Sequence, residues 1–255
     1  MFKKIQIDHC YNEDKNFKFM KKLGQCGFDL DPSMVEHPGK AFCKFIIFQS
    51  KNKRERAYLE FVHVGKGGKE ELTPGLSFSF TENLEKFSKK INKKIPHVFD
   101  HKNYQWKENS TDRLPGWNFL SFKKPPIKNL YTWFTEYEVS PGMRKFKKAK
   151  THPNSAYSIH GIKLILTAKS KKNLEIILGK KLNSKTKLSD GTHIYIVDGK
   201  KDKFDSIILN CKFLKKAHKF IPKTKIEKFH EFDSLRILNN SRDKKVMWDV
   251  VLIQN

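Results

Sequence analysis

Two ionisable side chains sit where strand alternation could aim them at a common ligand. His9 lies in the alternating run Ile5-Gln6-Ile7-Asp8-His9-Cys10-Tyr11, and Glu60 lies in the apolar run Ala57 to Val64. In an extended strand, successive side chains take opposite faces. On that parity Ile5, Ile7 and His9 share one face, and Tyr58, Glu60 and Val62 share one face of the other run. A histidine and a carboxylate set among apolar neighbours need a partner, because burial unpaired costs several kcal/mol. They could be metal ligands, or a general acid/base pair with Glu60 as the catalytic carboxylate. They could equally be a buried hydrogen-bonded pair with no chemistry. The residues leave these readings level. His37 and His152 each precede proline, which biases the histidine itself to an extended or turn conformation. His37 could line a cleft mouth, whereas His152 reads as a surface residue of a rigid loop. Gly65-Lys66-Gly67-Gly68-Lys69 lacks the spacing of a phosphate loop and reads as a connector.

The elements that must position these residues recur along the chain. The first strand is followed by a polar turn and a helical face of Phe17, Met20 and Leu23. Strands then run over 41–48 and 57–64. A second copy begins at Gly75-Leu76-Ser77-Phe78, with a helix through Leu84, Phe87 and Ile91. Its strands cover 117–122 and 130–137, and the stretch 92–115 between helix and strands reads as irregular. A third copy begins at Ile162, with a helix over 171–178 and strands at 193–197 and 206–211. Stretches at 235–238 and 246–253 read as two further strands, and the role of 212–255 stays open. The expectation is an α+β protein of repeated βαβββ modules forming curved mixed sheets around a cleft. The paired modules occupy 1–140, and the third module plus C-terminal strands occupy 150–255.

Particular words in this pattern carry a resemblance. Ile7-Asp8-His9-Cys10-Tyr11, Gly27-Phe28, His37-Pro38-Gly39, Tyr58-Leu59-Glu60-Phe61, Tyr131-Thr132-Trp133-Phe134 and His152-Pro153-Asn154-Ser155-Ala156 follow one another in the order seen in glyoxalase-like proteins. The chain thus resembles the glyoxalase-like branch of the vicinal-oxygen-chelate superfamily over about residues 5 to 170. The resemblance implies a cleft in which His9 and Glu60 stand at metal-ligand positions, with a divalent metal as the cofactor. Phe78 and Thr132 would occupy the matching second-module positions. Glu136 would be a further acidic group, and His37 and Trp133 would line the cleft. The third module offers Leu164 where a histidine would be needed. The implied function is action on a small molecule by metal-assisted lyase, isomerase or dioxygenase-type chemistry, with metal-free sequestration of a small ligand as the alternative.

Composition limits the partners. The chain has 255 residues, 52 basic and 27 acidic, for a formal net charge of +25. Such a charge attracts polyanions, so a nucleic-acid-associated protein is a second alternative. Only 6 of the basic residues are arginine, however, and bidentate readout of phosphates and bases relies on arginine. The lysines are scattered along the chain. Cys10, Cys26, Cys43 and Cys211 form no CxxC pair and read as buried thiols of a reducing, cytoplasmic setting. No apolar run is long enough for a transmembrane helix and no signal segment opens the chain, so a membrane partner is not expected. A small-molecule ligand is the expected partner, and a homodimer stays open.

Overall fold

The computed structural model describes residues 5–37, 39–49, 57–68, 73–80, 84–91, 99–104, 117–122, 124–137, 151–239 and 248–255. Lys69 and the 140–150 boundary between the two expected units lie outside the described residues.

The first sheet is built from two copies of one module. The first copy comprises β1 (Ile5–Glu13), α1 (Lys18–Gln25), β2 (Val35–His37), β3 (Ala41–Phe48) and β4 (Ala57–Val64). The second comprises β5 (Gly75–Phe80), α2 (Leu84–Ile91), β6 (Phe99–Tyr104), β7 (Trp117–Phe122) and β8 (Tyr131–Tyr137). The strand order β2-β3-β4-β1-β5-β8-β7-β6 sets the first strands of the two modules side by side at the centre. In each copy the first strand runs parallel to the last, β1 with β4 and β5 with β8, while β1 and β5 are antiparallel. The repeated modules expected from the sequence therefore form one mixed sheet. Two strands differ from that expectation. β6 occupies part of the stretch taken as irregular. β2, at Val35–His37, precedes the strands expected over 41–48 and 57–64.

The second sheet repeats the pattern with a different partition. It contains β9 (Ala156–Leu166), α3 (Ala168–Leu178), β10 (Lys185–Lys187), β11 (His193–Asp198), β12 (Lys203–Cys211), α4 (Leu214–Phe220), β13 (Glu227–Phe229), β14 (Phe232–Ile237) and β15 (Asp249–Gln254). Its order is β10-β11-β9-β12-β15-β14-β13. β9 pairs parallel with β11, and β12 pairs parallel with β15. β12 therefore opens a fourth module and does not close the third. The tail 212–255 supplies that module's helix and remaining strands, and the two strands expected there, β14 and β15, pair antiparallel.

One apolar core joins the two sheets. It takes Ile7, Leu59, Phe61, Phe78 and Phe134 from the first, and Ile162, Leu164, Ile207, Leu209 and Leu252 from the second. Phe19, Leu23, Leu84, Phe87, Leu174 and Ile177 come from the helices. Trp248, fully buried, meets Phe19, Phe61 and Phe204, and its indole N–H donates to the Tyr11 carbonyl at 3.1 Å. The segment before β9 adds polar ties, since the Asn154 amide donates to the Cys26 carbonyl at 2.9 Å and the Asn154 backbone N–H donates to Gly27. His152 is not the surface residue expected. It is buried against Phe28 and Phe48, and its Nδ1 accepts from the Asp29 backbone N–H at 3.1 Å. All four cysteines are buried and free. Among the described residues no helix is long and apolar enough to cross a membrane.

Gly161 marks where two strands approach too closely for a side chain. A Cβ there would lie 2.1 Å from the His193 carbonyl oxygen, a backbone atom of the paired strand β11. Gly161→Ala should therefore part β9 from β11 and lower stability by about 3 kcal/mol, read by urea denaturation. Stability equal to the parent would refute this packing.

Candidate functional site

The core occupies one face of the first sheet, and the other face carries the polar residues. A β-bulge decides which face His9 takes. Ile5 and Ile7 lie in the core and pair with Phe80 and Phe78, but the β1–β5 register shifts between Ile7 and His9. The extra residue turns Asp8 and His9 both away from the core, and Cys10 returns to it. The simple parity that grouped His9 with Ile5 and Ile7 is corrected by this bulge. The parallel register of β1 and β4 then sets His9 opposite Tyr58 and Tyr11 opposite Glu60.

These strands assemble a cup. The His9 ring stacks on Tyr58 at 4.3 Å, and Trp133 meets it edge-on at 5.0 Å. His9 Nδ1 makes a short contact with the Asp8 carboxylate, which leaves Nε2 facing Glu60 Oε2 at 3.5 Å. The other Glu60 oxygen lies 3.9 Å from His37 Nε2. His9 is 3% exposed and Glu60 9%, so the pair is held inside the cup wall. Tyr11 and Tyr131 extend the aromatic lining beside Trp133. Gly75 leaves room for it, because a Cβ there would lie 2.0 Å from the Tyr11 ring and 2.7 Å from Trp133.

Sequence reasoning missed Cys43. The turn Gly39–Lys40, both at positive φ, folds β2 back on β3, pairing Val35 with Cys43 and His37 with Ala41. Cys43 is 2% exposed and hydrogen-bonds Glu60; burial, and then the carboxylate beside it, push its thiol well above the usual range. Burial holds the His37 imidazole below its ordinary value, with Glu60 opposing. Ligand atoms of His37, Cys43 and Glu60 all lie within 4.8 Å of one another, the one such metal-ligating group among the described residues. A nitrogen, a thiol sulfur and a carboxylate oxygen so arranged suit a divalent ion of borderline softness.

Three expected cleft residues lie elsewhere. Phe78 is fully buried in the core between the sheets. Thr132 and Glu136 share the face of Phe134, opposite Trp133, by strand alternation. The register explains the slip: His9 pairs with Tyr58, and Ser77 pairs with Trp133. Ser77 and Thr135 therefore hold the places that His9 and Glu60 hold in the first module. Their hydroxyls bond each other at 2.7 Å.

The second sheet has a cup of its own, centred on His160. The sequence reading began this strand at Ile162 and so passed over it. Asn210 Nδ2 donates to Ser158 Oγ at 2.9 Å, so its Oδ1 accepts from His160 Nδ1–H at 3.1 Å. His160 Nε2 is left to accept from the Tyr195 hydroxyl at 2.9 Å. The chain fills this cup itself. Phe229 and His230 pack on Tyr195, Phe232 packs on His160, and an ion pair between Lys185 and Glu231 joins the two edges of the sheet. Burial, then the neighbouring His193, lowers the His160 pKa to about 4, and burial raises Tyr195 to about 12.

No protein-family model matches the chain, and no curated protein sequence does. Solved structures do. A hypothetical protein from Staphylococcus aureus superposes with a TM-score of 0.61 at 14% identity, covering 97% of this chain and 99% of that one. Homoprotocatechuate 2,3-dioxygenase from Arthrobacter globiformis gives 0.55 at 10% identity, covering 100% of this chain and 80% of its own. BphC, a halotolerant catechol dioxygenase, gives 0.55 at 10% identity, covering 100% and 87%. The chain has the vicinal-oxygen-chelate fold. The likeness at such identities concerns the scaffold, and the chemistry of the cups rests on their own residues.

Two outcomes test the cups. Gly75→Ala should displace the Tyr11 and Trp133 rings and shift the tryptophan emission, while the fold, read by far-ultraviolet circular dichroism, is retained. An unchanged spectrum would contradict the stated contact. For His160 the folded pKa lies below the unfolded one. Its contribution to stability is therefore complete above about pH 6.5 and is lost as pH falls toward about 4. His160→Gln should shrink the difference in unfolding free energy between pH 7 and pH 5. An identical pH dependence in the variant would refute the assignment.

Proposed function

We propose that the protein binds a small molecule with a flat apolar body and polar oxygens in the cup of its first sheet, with His9 and Glu60 as the polar centre. The convergence of His9 Nε2 and Glu60 Oε2 at 3.5 Å beneath the rings of Tyr58 and Trp133 carries this reading. Ligand sites commonly combine apolar and aromatic walls with a few convergent polar groups. The walls take the flat body of the ligand. Asp8 holds the His9 ring, so Nε2 is the nitrogen that can take or give a proton at a ligand oxygen. Glu60 can accept a hydrogen bond from a ligand hydroxyl or act as a base toward it.

Where the reaction is metal-assisted, a divalent ion beside Glu60 would supply Lewis-acid polarisation of a ligand oxygen. Lyase, isomerase and ring-opening chemistry all fit that arrangement. Metal-free sequestration is the alternative, and the neutral Ser77–Thr135 pair favours it, because the second-module positions that match His9 and Glu60 carry no ionisable group.

A thermal-shift screen of small aromatic acids and diols tests the reading. Catechols head the panel because two of the fold's neighbours are catechol and homoprotocatechuate dioxygenases. A ligand that stabilises the parent should bind His9→Ala and Glu60→Gln at least about tenfold more weakly, a loss near 1.4 kcal/mol. Unaltered affinity in both variants would make the pair purely structural.

A further inference from the structure

We infer that the protein's metal centre is the triad His37, Cys43 and Glu60, with His9 outside the coordination sphere as the residue that orients Glu60. This rests on the cup being the ligand site and changes which residues serve it. The resemblance to glyoxalase-like proteins assigns the metal to His9 and Glu60. The geometry divides them. The two oxygens of Glu60 face different histidines, Oε2 toward His9 and Oε1 toward His37. Among the described residues, only the His37 side brings a third donor, the Cys43 sulfur, into the same small volume.

The dimensions suit an ion. Bonds of about 2.0–2.3 Å to nitrogen, oxygen and sulfur set ligands roughly 3.5 Å apart around a tetrahedral centre. The triad lies within 4.8 Å, so small side-chain rotations close it. The three ligands come from three successive, hydrogen-bonded strands, since β2 pairs with β3 and β3 with β4. The sheet therefore preorganises them. Three protein ligands leave a fourth position for water or a ligand oxygen, the arrangement of a reactive site and not of a closed structural one. A thiolate in the set selects zinc or cobalt over magnesium or calcium, which take oxygen ligands. Binding is an exchange: the divalent ion forms a sulfur–metal bond, and the Cys43 thiol proton leaves to solvent.

His9 then acts at one remove. Asp8 holds its Nδ1, and its Nε2 faces the Glu60 oxygen turned away from His37. That is the place of an outer partner that orients a ligating carboxylate.

Cobalt(II) is the probe, titrated into chelator-treated protein. The expected result is one equivalent bound with a near-ultraviolet thiolate-to-cobalt charge-transfer band. The band should be absent in Cys43→Ser and retained in Cys26→Ser. His37→Ala and Glu60→Gln should weaken cobalt binding by tenfold or more. His9→Ala should keep the band and lose only a few-fold in affinity. Circular dichroism of each variant confirms folding, and zinc competition reads affinity without the band. Absence of bound cobalt, a band that survives Cys43→Ser, or a site abolished by His9→Ala but not by Cys43→Ser would overturn the assignment. If cobalt fails to bind while small aromatic ligands still stabilise the parent, the metal assignment falls and the cleft stands. If cobalt binds as described but no small molecule does, the proposed function falls alone.

Discussion

A single extra residue in β1 sets what the first sheet can do. The bulge between Ile7 and His9 moves the strand from one parity to the other at the point where a polar group is needed. Upstream of it, Ile5 and Ile7 seal the core; at it, Asp8 and His9 both turn to the cup. Without it, His9 would face the core between the sheets, where an unpaired imidazole costs several kcal/mol. With it, the parallel pairing of β1 and β4 places His9 over Tyr58 and within reach of Glu60.

The two sheets put the same modules to different uses. In the first, the cup carries a polar chain from Asp8 through His9 and Glu60 to His37 and Cys43, beside a wall of Tyr11, Tyr131 and Trp133. In the second, the β13–β14 hairpin brings Phe229, His230 and Phe232 into the cup, and His160 is fully satisfied by Asn210 and Tyr195. A histidine with both nitrogens engaged by neutral partners and held at a pKa of about 4 is suited to structure, not to proton exchange at neutral pH. The asymmetry leaves the first cup as the one for which ligand chemistry is proposed, while the chain closes the second itself.

Much of the scaffold was legible because it rests on local patterns. Period-two runs marked β1, β3, β4 and β5, helical spacing marked α1 to α3, and the order of these signals gave the repeated module. The pairing of His9 with Glu60 was also legible, although through a parity argument that the bulge reached by another route. Three things were hidden. The second-module positions slipped, by one residue from Ser77 to Phe78 and by three from Thr135 to Thr132, because only strand register fixes which residues match and which face they take. β6 and β2 are set by pairing with neighbours and lack an apolar pattern of their own. Cys43 looked like one more buried thiol, and only the fold of β2 over β3 brings it to His37 and Glu60.

His9 and Glu60 engage each other in the folded protein, with Asp8 fixing the ring. Nitrogen-15 NMR of the histidine side chains tests this pairing most directly, because it reads each imidazole nitrogen separately. Glu60→Gln should move the His9 Nε2 resonance while leaving His160 unchanged, and Asp8→Asn should move His9 Nδ1. His9 resonances unaffected by Glu60→Gln would contradict the account, since the pair would then be absent in solution.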